Sequence, residues 1–364
     1  GEFIMAVKYL SGNRIWGTNA ERLAMTGGTL DIPQTTWKEL GTRAIASGGD
    51  TTELEVTFTA KDYLMILVNS TANFNMETVM MYGGSDYTST DYFTRRVKNG
   101  ARSPEVNDSS GVATSWRIVD GSSGTTGSNF GVYDVWNDAN DGNKIGIGHC
   151  VLTNDTGTSD PCLAYETTNA WIPDSASTRI TRVKIKADSG THYFGDGTEL
   201  IVLGMDREEA DGGGTTNFWQ EIASVKGDGT STTMTTGTIT LPKYLMMEIY
   251  GESMVSCKMK FNGESSSDFQ RTYTSNGTDF TQNSAAEGLE FLYDLAPASI
   301  QLYMTNEDGK EKLIIYHDSE ANNSSTDVKR MEGWGKNADT DEITEISLSK
   351  PSGNFTANDN FRIW

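Results

Sequence analysis

Histidine, cysteine and proline are all scarce in this chain of 364 residues, which holds three His, three Cys and seven Pro. Three scattered histidines give poor support to a Ser-His-Asp triad or a histidine-based metal hydrolase. Cys150, Cys162 and Cys257 are too few, and odd in number, for a disulfide framework. They read as free thiols, with a Cys150–Cys162 bridge as the alternative. Basic residues are also under-represented, 29 against 50 acidic, and the net charge of −21 repels nucleic acid backbones and anionic membranes. The acid is spread along the chain rather than gathered in a tail, which points to solubility before Ca²⁺ binding. No apolar run reaches the roughly 18 residues of a membrane-spanning helix, so no membrane insertion is expected. The opening GEFIM reads as an expression remnant ahead of Met5, and no secretory signal follows it. G-x-S-x-G, P-loop, Rossmann and Cys/His-cluster motifs are absent. No catalytic residue, cofactor or metal is therefore expected, and the chain reads as a non-enzyme. A two-carboxylate glycosidase stays open, because Asp and Glu are everywhere in the sequence.

What is abundant is β-forming and turn-forming character: Thr, Val, Ile, Tyr, Ser, Asn and 38 Gly. Helical periodicity is nearly missing, so the fold class is all-β. An internal repeat organises the chain. Trp37-Lys-Glu-Leu parallels Trp219-Gln-Glu-Ile, and ELEVTF parallels TTGTITL. KDYLMILV from Lys61 parallels PKYLMMEI from Pro242, and both read as central strands buried on two faces. DYFTRRVKNG matches SDFQRTYTSNG, and DGNKIGIGH matches DGKEKLIIYH. Trp171 precedes Ile180 by the interval at which Trp334 precedes Ile343, ITRVKIKADSG parallels ITEISLSKPSG, and TELIVLG parallels DNFRIW.

Matched blocks in one order predict two tandem β-sandwich, jelly-roll-like domains from an internal duplication, with about eight short strands each. Alternation places Ile180, Val183 and Ile185, and likewise Ile343, Ile346 and Leu348, on core faces. The expected layout is a tag remnant and extended arm (1–36), a first domain (37–205), a polar linker (206–217) and a second domain (218–364). The first copy is longer. Its extra residues, SPEVNDSSGVATSWRIVDGSSGTTGSN and CVLTNDTGTSDPCLAYETT, are rich in Gly, Ser, Thr and Asp and read as loops.

Two of the three histidines, His149 and His317, close the same short pattern. Equivalent points in tandem domains are expected a domain-width apart, too far for shared ligation at about 2 Å. Each histidine then satisfies a strand end, with Asp155 and Asp160 beside one, and Asp318 and Glu320 beside the other. His192 has no counterpart in the second copy. NDANDGN, from Asn137, superficially resembles a Ca²⁺ loop, but its Asp-Gly reads better as a hairpin turn. Arg95 and Arg271, each two residues after a Phe, suggest an ion pair or stacking at a sheet edge. The non-repeated aromatics Tyr87, Tyr92 and Trp116 are the candidates for ligand recognition, since amphipathic rings beside small polar residues suit glycan or protein surfaces.

The opening VKYLSGNRIWG and the block running from KEKLIIYH to the final NFRIW resemble the repeated β-sandwich modules of uncharacterised virion structural proteins of marine tailed phages and archaeal viruses. The resemblance spans nearly the whole chain and carries no site residues with it. It implies a viral structural protein, a tail, fibre, spike or capsid-surface component, made in the host cytoplasm and destined for the virion. Its expected partners are itself and other virion proteins, with a host-surface glycan or protein as a further one. A double jelly-roll major capsid protein is the first alternative, and a carbohydrate-binding or glycan-active protein the second.

Overall fold

A computed structural model describes residues 37–46, 49, 51–72, 76–81, 92–99, 105–113, 116–119, 127–137, 144–153, 163–171, 179–187, 193–206, 218–252, 257–264, 268–275, 278–286, 288–291, 298–321 and 328–364. The described chain is all-β, with twelve strands in each half. The first half holds β1 (Lys38–Ala44), β2 (Glu53–Thr57), β3 (Tyr63–Ala72), β4 (Met76–Met81), β5 (Tyr92–Asn99), β6 (Glu105–Ala113), β7 (Trp116–Val119), β8 (Gly127–Trp136), β9 (Lys144–Leu152), β10 (Leu163–Trp171), β11 (Arg182–Ala187) and β12 (Glu199–Met205). The second holds β13 (Ala223–Lys226), β14 (Thr233–Thr235), β15 (Tyr244–Gly251), β16 (Lys258–Phe261), β17 (Phe269–Ser275), β18 (Thr278–Ala286), β19 (Leu289–Glu290), β20 (Ala298–Thr305), β21 (Lys312–Ala321), β22 (Val328–Asn337), β23 (Ile346–Ser349) and β24 (Asn360–Ile363).

In the first half an eight-stranded sheet runs β1-β12-β3-β8-β9-β10-β5-β6 and a four-stranded sheet runs β2-β11-β4-β7. In the second the orders are β13-β24-β15-β20-β21-β22-β17-β18 and β14-β23-β16-β19. Strand for strand, the second half repeats the first. The strand count exceeds the eight expected from the sequence in both halves, which each extend one sheet by two hairpin pairs, β5-β6 and β9-β10 in the first and β17-β18 and β21-β22 in the second; in the first half the presumed loops carry β6, β7, the end of β9 and the start of β10. The sequence EVNDSSGVA of β6 shows no apolar alternation because β6 is the outermost strand of its sheet, with one hydrogen-bonded neighbour.

Period-two patterning assigns each strand its faces. In β2, Leu54 and Val56 turn inward between exposed Glu53 and Thr57. They meet Val183 and Ile185 of β11 and, from the larger sheet, Leu64, Ile66 and Val68 of β3. The second core is built alike, from Ile346 and Leu348 of β23 against Leu245, Met247 and Ile249 of β15. Each such side chain taken fully out of water contributes about 1.5–3 kcal/mol. The core positions read from the sequence are therefore sound: Ile180, Val183 and Ile185 are fully buried, as are Ile346 and Leu348, with Ile343 at 1% exposure.

The other residues of β3 and β15 explain why these runs lack alternation. Met65 and Leu67 point away from the first core, and Tyr244 and Met246 away from the second. Together with Phe130, Val132, Ile201, Leu203, Tyr303, Leu313, Ile315 and Trp334 they form a third apolar cluster, in which the outer faces of the two large sheets cover one another. The result is four layers of sheet with the two eight-stranded sheets innermost. A polar rim closes one side of this contact. Lys243 bridges Glu199 at 2.9 Å and Glu307 at 3.3 Å, Tyr244 donates to Glu199 at 2.6 Å, and Asn69 donates to Glu307 at 3.2 Å.

A paired asparagine clamp ties each half together. The Asn137 side chain accepts from Ile180 N at 2.7 Å and donates to Ile180 O at 3.1 Å. Asn306 repeats this on Ile343, at 2.7 and 3.2 Å. Both asparagines are buried, so no water replaces their hydrogen bonds. Asn306→Ala is expected to destabilise the protein by about 1–3 kcal/mol for the unsatisfied groups it leaves. Asn306→Asp, which keeps the acceptor and loses the donor, should fall short of wild type without recovering the donor's share. Urea unfolding of both variants measures this.

The matched tryptophans are not structural equivalents. Trp171 lies opposite Lys144 on β9, whereas Asn337, not Trp334, lies opposite the matching Lys312 on β21. Trp171 packs in the first core and Trp334 in the contact between halves. The connection from β22 to Ile343 is shorter than that from β10 to Ile180, so equal spacing along the chain misaligns the two strands.

Candidate functional site

His149 lies on β9 and His317 on β21, and these two strands face one another across the contact between halves. On β9 the outward residues are Ile145, Ile147, His149 and Val151; on β21 they are Leu313, Ile315 and His317. The two imidazole rings meet with centroids 4.3 Å apart at an interplanar angle of 69°. The expectation that they stand a domain-width apart is thus overturned. It assumed domains joined end to end, whereas here equivalent strands face each other, β9 against β21 and β5 against β17. Equivalent points in two bodies related in this way meet when they lie near the axis between them.

Glu332 of β22 completes the group. It sits directly across the ladder from His317, and its Oε2 contacts His317 Nδ1 and lies 3.6 Å from His149 Nε2. His149 and Glu332 are buried at 8% and 5% exposure, and His317 is half-buried. In the first half Glu166 sits across the ladder from His149, as Glu332 does from His317. The same His-Glu register thus occurs on both halves, and the cluster joins His149 to the His317–Glu332 rung. Among the described residues, His149, His317 and Glu332 are a group whose ligand atoms all lie within 4.8 Å of one another. Two imidazoles and a carboxylate in that space can share protons or hold one divalent cation.

On the covered side the surroundings are apolar, and burial raises the Tyr303 phenol, with Asp134 adding to it. Toward the turn end of β9 the cover stops: Ile145 and Ile147 are about half exposed, at 51% and 47%. His149 thus marks the boundary between the covered and the open part of that sheet face.

The other sequence candidates separate cleanly. Tyr87, His192, Cys162, Asp155 and Asp160 lie outside the described residues, as do the arm (1–36) and linker residues 207–217. Tyr92 is on β5 and Trp116 on β7, with their side chains outside the description. Asp206, assigned to the linker, is instead tied to the first half by Lys61 at 2.8 Å and by the Asp62 amide at 3.0 Å. Asp318 is buried on the face of β21 opposite to His317, so the carboxylate partner comes from the neighbouring strand and not from the next residue. Cys150 and Cys257 are free thiols, each pushed up to about 12 by burial. Arg271 pairs with Glu290 at 3.1 Å and lies 5.2 Å from the Tyr273 ring centre.

Residues 138–143 of the Ca²⁺-like loop NDANDGN lie outside the described residues; the matching loop of the second half, NEDGKEK, is a hairpin turn. Gly309 takes a φ of 73°, which the left-handed region permits to glycine. The Lys312 ammonium donates to the carbonyls of Glu307, Lys310 and Thr340 at 2.7, 2.7 and 3.0 Å. A lysine thus stands where a loop-bound cation would stand, and its counterpart Lys144 is fully buried.

A second titrating pair lies away from the histidines. Glu264 is pushed up to about 7, first by burial and then by a hydrogen bond shared with Asp339, which the same bond holds below the usual range. Because the folded value of Glu264 exceeds its ordinary 4.5, its stabilisation is present below about 4.5 and lost as pH rises through about 7. The Asp339 contribution has the opposite sign and fades only at more acid pH. Glu264→Gln should therefore gain stability relative to wild type between pH 5 and pH 8, measured by urea unfolding at both values.

No protein-family model matches the chain, and no curated protein does. Among solved structures, one described as "Unveiling the Mechanism Behind the in-meso Crystallization of Membrane Proteins" is 8% identical, with a TM-score of 0.11, over 83% of this chain and 100% of its own. A likeness of that size carries no argument about fold or function.

Proposed function

We propose that this chain is a non-enzymatic structural protein of a virus particle, built from two jelly-roll domains that arose by duplication and assembling with itself and other virion proteins. The observation that carries the reading is the strand pairing. Leaving aside the inserted pairs β5-β6 and β9-β10, the first half pairs β1 with β12, β2 with β11, β3 with β8 and β4 with β7. This is a long hairpin rolled into two four-stranded sheets, the jelly-roll order that recurs in viral capsid and lectin domains. The second half has the same pairing. Both insertions lengthen the sheet through which the halves pack, which suits a rigid building block better than a pair of flexibly tethered modules. Fold alone does not decide function; the sequence resemblance to virion modules adds the viral context. A double jelly-roll major capsid protein is the second reading, favoured by the fixed union of two jelly rolls in one subunit. Light scattering with electron microscopy of the purified chain tests both. A defined oligomer supports a virion component, and a trimer favours the capsid reading. A strict monomer that binds neither virions nor host cells overturns both.

A further inference from the structure

We infer that His149, His317 and Glu332 form a binding site for one divalent transition-metal ion of the zinc type, which ties the two halves of the chain together. The donor set decides the class of ion: two imidazole nitrogens and one carboxylate oxygen suit Zn²⁺ and its neighbours, whereas Ca²⁺ and Mg²⁺ take oxygen ligands. Spacing agrees. Donors bound at about 2.0–2.1 Å in a tetrahedral site stand roughly 3.3 Å from one another, and His149 Nε2 lies 3.6 Å from Glu332 Oε2. Small side-chain rotations would open the close His317–Glu332 contact and draw in the wider ones, because all three donor atoms already fall within 4.8 Å. Both histidines turn a ring nitrogen toward the same carboxylate oxygen. One cation between them would be shared by the two rings, whose centroids stand 4.3 Å apart. Three protein donors leave a fourth position for water.

The position of the site gives the ion its role. One ligand comes from the first half and two from the second, at the border where the apolar cover between the sheets gives way to exposed Ile145 and Ile147. A metal there staples the open margin of the contact, which the apolar cluster alone does not close. The inference rests on this geometry and not on the viral reading, so either can fail without the other.

The test uses the whole chain, stripped with chelator and titrated with Zn²⁺ by calorimetry, with Co²⁺ as a spectroscopic probe. One equivalent of Zn²⁺ per chain is expected, with a melting temperature that climbs with the logarithm of free Zn²⁺. Co²⁺ should give the visible absorption of a four- or five-coordinate nitrogen and oxygen site. His149→Gln, His317→Gln and Glu332→Gln should each lose the stoichiometric equivalent and the Co²⁺ spectrum, while circular dichroism shows the strands intact. His192→Gln, which changes the third histidine, should keep both. If the wild type takes up no equivalent, or the folded His149→Gln/His317→Gln double variant retains it, the site is not there.

Discussion

Trp334→Ala is expected to destabilise the protein by about 3–5 kcal/mol, the range for removing a buried aromatic side chain. Trp334 is fully buried on β22, within the apolar cluster that joins the two large sheets, and shares that cluster with Ile315, Leu313 and Val132. Two tandem domains on a flexible linker would instead leave this residue on a surface, where substitutions usually stay within about 0.5 kcal/mol. The two arrangements therefore differ severalfold in expected effect. The variant should also change the shape of unfolding. A wild type whose halves share a core is expected to unfold in one transition, and weakening that shared core should split it into two. Urea unfolding followed by tryptophan fluorescence and by far-ultraviolet circular dichroism tests this: coincident curves for wild type and separated curves for the variant. A Trp334→Ala curve that matches wild type in midpoint and slope would sink the face-to-face arrangement.

The sequence carried this arrangement in a form that was easy to see and hard to interpret. KDYLMILV and PKYLMMEI are apolar on both strand faces, which demands two covers for each strand. The four-stranded sheet supplies one, through Leu54 and Val56 in the first half and Leu348 in the second. The second cover is each half's counterpart, and periodicity cannot name it, because alternation reports that a face is buried and not by what. The histidines followed from the same gap. Their repetition was legible, but their meeting depended on the packing of whole sheets. The carboxylate that joins them stands across a ladder, fifteen residues along the chain, where sequence proximity gives no hint. A sharper signal did exist. Glu166 and Glu332 each sit opposite a repeated histidine, so the His-Glu rung was written twice. Finding it required the register of β9 with β10, and the mismatched tryptophans hid that register by suggesting one three residues away from the true one. The edge strands failed for another reason. A strand with one hydrogen-bonded neighbour, such as the Ser- and Asp-bearing β6, has composition that does not separate it from a loop.

Gly333→Val should destabilise the protein although valine is a better strand former than glycine. Intrinsic preference alone favours the substitution by up to about 1 kcal/mol. Packing opposes it. A Cβ built on Gly333 falls 1.9 Å from Tyr316 Cζ, and one on Gly148 falls 1.9 Å from Tyr133 Cδ1. In each half a tyrosine lies flat across the glycine directly opposite on the next strand: Tyr133 over Gly148, and Tyr316 over Gly333. Both rings are core residues, and Tyr316 meets Phe291 edge-on with centroids 5.3 Å apart. A ring at 1% exposure has no solvent-side rotamer to retreat to. Adding carbons therefore forces it into Phe291 or bends the strand, at a cost of about 1–3 kcal/mol or more. The sign of the effect decides between the two terms. Gly333→Val alone should lower the urea midpoint, Tyr316→Leu alone should lower it through lost burial, and the double variant should be more stable than the sum of the two predicts. Simple additivity would mean that the clash is relieved elsewhere. A Gly333→Val protein more stable than wild type would mean that strand propensity, and not the tyrosine, governs this rung.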